Sequence, residues 1–149
     1  MVSLLSLYQH AANSGVSVDD FPLNSREALT VVDDSGCFHI ALDRRKVQDS
    51  IDEKVKLAHE LGHCETGAFY ARYMPYETVE RCEQRAERRA IERLVSKDDL
   101  DTAVQSGVVN PWDLAELFEV PQPFMEKAIA YYHMLDQVGA YNGRSYGLC

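Results

Sequence analysis

His59, Glu60 and His63 form an H-E-x-x-H pentapeptide within a stretch, Asp52 to Cys64, whose composition and period predict a helix. Residues four apart on a helix stand one above the other on the same face. Both imidazoles can therefore reach one metal ion, with Glu60 projecting beside it. Zinc held by nitrogen and oxygen ligands, with one coordination position open, binds and acidifies a water molecule. A glutamate within hydrogen-bond reach of that water takes its proton as the water attacks a carbonyl. The spacing thus implies metal-dependent peptide hydrolysis, with His59 and His63 as ligands and Glu60 as general base.

The plainer alternative is a pair of partly exposed histidines on an ordinary amphipathic helix, and the local sequence argues against it. Val55, Ala58 and Gly62, with Ile51 one turn earlier, make an apolar stripe that both histidines border. Gly62 costs on the order of 1 kcal/mol of helix propensity relative to alanine. Close packing of another element over the metal helix would account for that cost. After a turn at Met74-Pro75, residues 76–95 read as a long helix with Val79, Cys82, Ala86, Ala90 and Leu94 as its apolar stripe. Glu80, Glu83 and Glu87 follow one flank three and four apart, and no arginine sits three or four residues from Glu83. Like charges so spaced destabilise a helix by about a few tenths of a kcal/mol per pair, which a cation from outside would relieve. Glu83, bordering the apolar stripe, is the expected third ligand. Glu80 and Glu87 fit a solvated acidic face.

These residues resemble the ImmA/IrrE family of metallo-endopeptidases. Leu57-Ala58-His59-Glu60-Leu61-Gly62-His63 is similar to that family's L-A-H-E-L-G-H core, and 83–90 (E-Q-R-A-E-R-R-A) to its E-x-x-A-(D/N)-x-x-A segment, followed by Leu94-Val95. Upstream, a short helix, Gly15, a Val16–Val18 strand and Phe38–Leu42 before the metal helix repeat its layout. The resemblance spans roughly residues 4–96. It implies a zincin-like fold in which His59, His63 and Glu83 bind Zn2+, or Mn2+ or another divalent ion, and Glu60 is the general base. Glu87 stands where the family usually has Asp or Asn, so Glu83 and Glu87 both remain open as the ligand. A carboxylate, Glu87 or Glu80, would orient a metal-bound histidine through its other ring nitrogen. Tyr70, Tyr73, Tyr76 and His133 are candidates for a second electrophile, each also explicable as a packing residue.

Composition frames the rest. A chain of 149 residues, 46% hydrophobic and 26% charged, has the makeup of one soluble globular domain. No segment approaches a membrane-spanning apolar run. Met1 to Gly15 lacks the basic and apolar regions of a secretory signal and reads instead as an amphipathic helix using Leu4, Tyr8 and Ala11. Cysteines 37, 64, 82 and 149 show no paired spacing, which favours free thiols in a reducing cytoplasm over disulfides. A mixed Cys/His site with Cys64 or Cys82 is disfavoured, because sequence neighbours on a helix point about 100° apart.

The expected fold is α+β and mainly helical, with a small N-terminal antiparallel sheet and a helical C-terminal part, all in one domain (1–96 sheet and metal helices, 97–149 helical subregion). Strands are expected at Val16–Phe21, Ala28–Val32 and Cys37–Leu42, with a tight turn at Asp33-Asp34-Ser35-Gly36. Phe38–Leu42 is expected to offer a sheet edge to an extended substrate. Ser96 with Asp99 opens a helix ending at Gly107, Asn110-Pro111 opens another carrying Trp112, Leu114 and Phe118, and a last helix carries Phe124, Ala128, Tyr131 and Leu135. The final residues, Asn142–Cys149, read as a frayed tail.

The last two helices look like a helix-turn-helix, yet residues 97–127 hold seven acids against Lys97 and Lys127, and the chain carries −9. Phosphate contacts need cations, so direct nucleic-acid binding is not expected. The resemblance implies a protein substrate, a DNA-binding helix-turn-helix repressor of a mobile element, phage or stress response, towards which an acidic chain would be steered. The expectation is a cytoplasmic zinc metallo-endopeptidase. The alternative is a metal-stabilised module that sequesters its partner without cutting it.

Overall fold

Four helix starts fall where short polar residues accept the orphan backbone N–H groups of a first turn, whereas the helix at 76–94 follows Pro75 without a side-chain cap. In a computed structural model of the chain, describing residues 1–67 and 75–142, the elements are α1 (Leu4–Asn13), β1 (Ser17–Asp20), β2 (Ala28–Val32), β3 (Phe38–Leu42), α2 (Ser50–Thr66), α3 (Tyr76–Leu94), α4 (Lys97–Gln105), α5 (Pro111–Phe118) and α6 (Gln122–Asn142). Ser3 and Ser6 cap α1 reciprocally, Asp49 caps α2, Ser96 caps α4 and Asn110 caps α5 ahead of Pro111. Asp52 and Glu53 lie in the first turn of α2, where the helix dipole favours negative charge. Met74 of the expected turn and the tail from 143 onward lie outside the described residues.

The architecture is α+β, with six helices and a three-stranded sheet among the described residues. The sheet is mixed, not antiparallel as expected. β2 and β3 form the antiparallel hairpin read from the sequence, with Val32 opposite Phe38 and Ala28 opposite Leu42. Its turn is held by the Asp33 carboxylate, which accepts from the backbone N–H of Ser35 and Cys37, and Gly36 takes φ 85°. β1, however, pairs in parallel with the other side of β3, Ser17 with His39 through Asp20 with Leu42. The strand order is therefore β1-β3-β2. This overturns Phe38–Leu42 as a substrate edge, because both of its sides are covered and the strand bordering α2 at the open side is β2.

The connection from β1 to β2 makes that insertion possible. Asp43, fully buried, accepts from Leu23 N–H at 3.0 Å and from the Arg45 guanidinium at 2.8 and 2.9 Å. The Arg45 guanidinium, the Leu23 amide and their neighbours hold its carboxyl well below the usual carboxylate range. Lys46 Nζ donates to the carbonyls of Leu23, Asn24 and Arg26, pinning the same loop.

A single buried cluster runs from Leu7, Ala11, Ile40 and Leu42 through Leu57, Ala58 and Leu61 to Ala90, Leu94, Leu114, Phe124 and Met125. It joins the sheet, α2 and α3 to the C-terminal helices. Leu57 and Leu61 are the deepest apolar residues of α2 together with Ala58, whereas Ile51, expected in the stripe, is 37% exposed. The α3 stripe behaves as expected from Cys82 to Leu94, with Ala86 and Ala90 inaccessible. Lys54 is buried in α2 and donates to the Phe118 carbonyl at 3.1 Å, satisfying the C-terminal end of α5. Leu114 and Phe118 of α5 are buried but Trp112 is 64% exposed. Among the described residues no helix is long and apolar enough to cross a membrane.

α2 and α3 meet at Gly62. A Cβ on that glycine would lie 2.5 Å from the Ala86 carbonyl oxygen and 3.0 Å from the Ala86 Cα, both rigid helix backbone. The glycine thus exists for the close approach expected of it. Gly62→Ala should gain helix propensity yet lower the unfolding free energy by about 1–3 kcal/mol through overpacking. Urea unfolding checks this; a variant at least as stable as wild type would contradict it.

Candidate metal centre

The close helix contact brings the flank of α3 against the histidine face of α2. His59 and His63 lie one helical turn apart, ring centroids 4.9 Å apart and nearly perpendicular. Glu83 faces them both. Its Oε2 lies 2.9 Å from His59 Nε2 and its Oε1 lies 3.4 Å from His63 Nε2. One ligand atom from each of the three residues falls within 4.8 Å of the others, and among the described residues this is the one such cluster. Ligand atoms around a tetrahedral zinc lie about 3.3–3.6 Å apart, so small side-chain adjustments suffice.

A test of fit comes from Glu83 Oε1. It is buried and makes no hydrogen bond, with His63 Nε2 as an ion-pair neighbour at 3.4 Å. Leaving a buried carboxylate oxygen unsatisfied is costly. A cation among the three side chains would remove that cost, and a His2Glu donor set suits zinc. His59, His63 and Glu83 would suit a divalent cation by donor type and spacing.

Glu87 meets the other side of the same imidazole. Its Oε2 lies 3.1 Å from His59 Nδ1, and its Oε1 accepts from Lys127 Nζ of α6 at 3.1 Å. Of the two carboxylates left open by sequence, Glu83 is the one at both Nε2 atoms and Glu87 the one behind His59. Glu80 is exposed. Burial alone would lower the His59 pKa, but the Glu87 hydrogen bond and the charges of Glu60 and Glu83 raise it above its ordinary 6.5. The bond to His59 in turn lowers the Glu87 pKa against the opposing effect of burial. An Nδ1–H held on Glu87 leaves the Nε2 lone pair for a metal.

Glu60, the expected general base, is 7% exposed and anchored from the sheet. Thr30 of β2 donates its hydroxyl to Glu60 Oε2 at 2.5 Å. Glu60, His59 and Glu83 border an open cleft of about 430 Å3. Arg26 and Ala28 line it on the sheet side, and Pro121, Phe124 and Lys127 on the side of the C-terminal helices.

Other sequence candidates stand differently. His133 is exposed on α6, bonds to Gln137 and is not among the residues lining the cleft. Tyr70, Tyr73 and the Tyr76 side chain lie outside the described residues. Neither Cys64 nor Cys82 joins the ligand cluster, and burial pushes the Cys64 thiol up to about 11, away from the thiolate a metal needs. Thr30 and Lys127 escaped sequence reading. Thr30 sits in an unremarkable strand and Lys127 on the polar side of a helix, and only the fold brings them to Glu60 and Glu87.

Comparison of the chain with known protein families, curated proteins and solved structures finds no match.

A metal ion held at His59 Nε2 would compete with a proton for that nitrogen. Since its pKa lies above 6.5, lowering the pH should start to weaken zinc binding before pH 6.5 is reached and approach a loss of about tenfold per unit below the His59 pKa. In metal-free protein the same shift favours the fold at low pH, a stabilisation lost as pH rises through the elevated pKa. Chelator-competition titrations between about pH 8 and pH 6 read the first effect, and an affinity flat across that window would contradict it.

Proposed function

We propose that this chain is a metal-dependent endopeptidase of zincin-like fold, related to the ImmA/IrrE metallo-endopeptidases. The observation that carries the proposal is the convergence of His59, His63 and Glu83 around a buried, unsatisfied carboxylate oxygen, with Glu60 beside them in an open cleft. A zinc ion held there would supply Lewis acidity, acidifying water and polarising the scissile carbonyl.

The chain's own residues do the rest. Glu60 takes a proton from water as the water oxygen bonds to the carbonyl carbon, then passes it to the amide nitrogen as the C–N bond breaks. Thr30 holds the Glu60 carboxylate in place for both transfers. Glu87 fixes the orientation of His59. The outer side of β2, the strand nearest the cleft at the open end of the order β1-β3-β2, receives an extended substrate by main-chain hydrogen bonds.

The proposed substrate is a basic, DNA-binding repressor protein. The net charge of −9 supports a cationic partner. Direct DNA binding by α4–α6 has no support, because Lys97 is engaged by Asp101 and Asp136 and Lys127 by Glu87.

Glu60→Gln is the decisive variant. It keeps the size of the side chain and removes the base, so cleavage should fall at least about 100-fold while zinc binding persists. Intact-mass analysis of a repressor-like protein incubated with zinc-loaded wild type and with the variant reads this. A product made only by wild type supports the peptidase; equal binding by both forms without cleavage would point instead to a sequestering module.

A further inference from the structure

We propose that Lys127 is a positioning residue for the metal centre, acting through Glu87 on His59, so that α6 helps to set metal affinity. The inference rests on the metal-centre reading above and extends it to a residue outside both metal helices. The geometry is a chain of contacts. Lys127 Nζ lies 3.1 Å from Glu87 Oε1, and Glu87 Oε2 lies 3.1 Å from His59 Nδ1. On its opposite side, His59 Nε2 faces Glu83 at 2.9 Å.

A glutamate on a helix has three rotatable side-chain bonds, so one hydrogen bond leaves its carboxylate free to swing. A donor on each oxygen fixes its plane. Lys127 approaches from α6 while His59 approaches from α2, and Glu87 on α3 lies between them. Held this way, Glu87 keeps Nδ1–H on His59 and aims the Nε2 lone pair at the ligand cluster. Lys127 also lines the cleft with Glu87, His59 and Glu83.

The alternative is an incidental surface pair, for which the 64% exposure of the Lys127 side chain argues. The two differ in sign. A lysine acting only through space repels a divalent cation, so removing its charge would tighten metal binding. A lysine acting through Glu87 supports the ligand set, so removing it weakens binding. Because the side chain is largely exposed, replacement should leave the core intact.

Zinc affinity of the full-length protein, measured by competition with a chromophoric chelator at fixed pH, tests this without any substrate. Replacing an outer carboxylate behind a metal-bound histidine typically costs about 10–100-fold in affinity, so Glu87→Gln should weaken binding at least about tenfold. Lys127→Met, one bond further out, should weaken it about threefold, and Lys127→Arg should stay within about twofold of wild type. In the Glu87→Gln background, Lys127→Met should add nothing, since its route to His59 is already cut. Tighter or unchanged binding by Lys127→Met, or an equal loss in both backgrounds, overturns the positioning role while leaving the metal centre intact. His59→Gln marks the floor. Wild type binding no tighter than that variant overturns the metal centre and this proposal together.

Discussion

The contact on which the candidate site depends is backbone against backbone, Gly62 of α2 against Ala86 of α3. With nothing larger than a hydrogen at position 62, the two helices approach until the Glu83 carboxylate reaches both histidine rings. Side chains of ordinary size would hold helix axes roughly 8–10 Å apart. The same closeness costs helix propensity at Gly62 and leaves a carboxylate oxygen buried without a hydrogen bond. Local stability is thus spent at one point, as is common where a fold assembles a functional constellation.

Around that contact the other elements act as braces. The Asp43 carboxylate and the Lys46 ammonium gather the loop between β1 and β2, which lets β3 occupy the sheet centre and leaves β2 beside α2. β2 then supplies Thr30 to the Glu60 carboxylate. From the other direction, the buried Lys54 ties α2 to the end of α5, and Phe124 and Met125 carry α6 into the common core. The C-terminal helices therefore form one wall of the cleft instead of a separate unit.

Electrostatics at the site are unbalanced. Three carboxylates, Glu60, Glu83 and Glu87, surround two imidazoles, and they raise the His59 pKa despite its burial. Lys127 is the one lysine bonded to any of the three among the described contacts. A divalent cation is the natural complement to such an arrangement, since it meets carboxylate and neutral imidazole at once.

The amino-acid sequence by itself determined the local half of this arrangement. A period of 3.6, polar caps and the i, i+4 spacing put His59, Glu60 and His63 on one helix, and the acids grouped at 80, 83 and 87 marked the flank of the next. Hairpin, turn and helix boundaries were also legible, because caps and turn residues act within a few positions of themselves. Strand neighbours were not. A strand's alternation reports which face is buried and says nothing of what lies at its edges, so the central place of β3 and the parallel pairing of β1 came only from the fold. Tertiary structure likewise separated Glu83 from Glu87, placing the first at Nε2 of both histidines and the second between His59 Nδ1 and Lys127. It removed His133 from the cleft and brought in Thr30 and Lys127, 30 and 40 positions from the groups they touch. Contacts at such separations depend on how helices and sheet pack, and no short-range pattern encodes that.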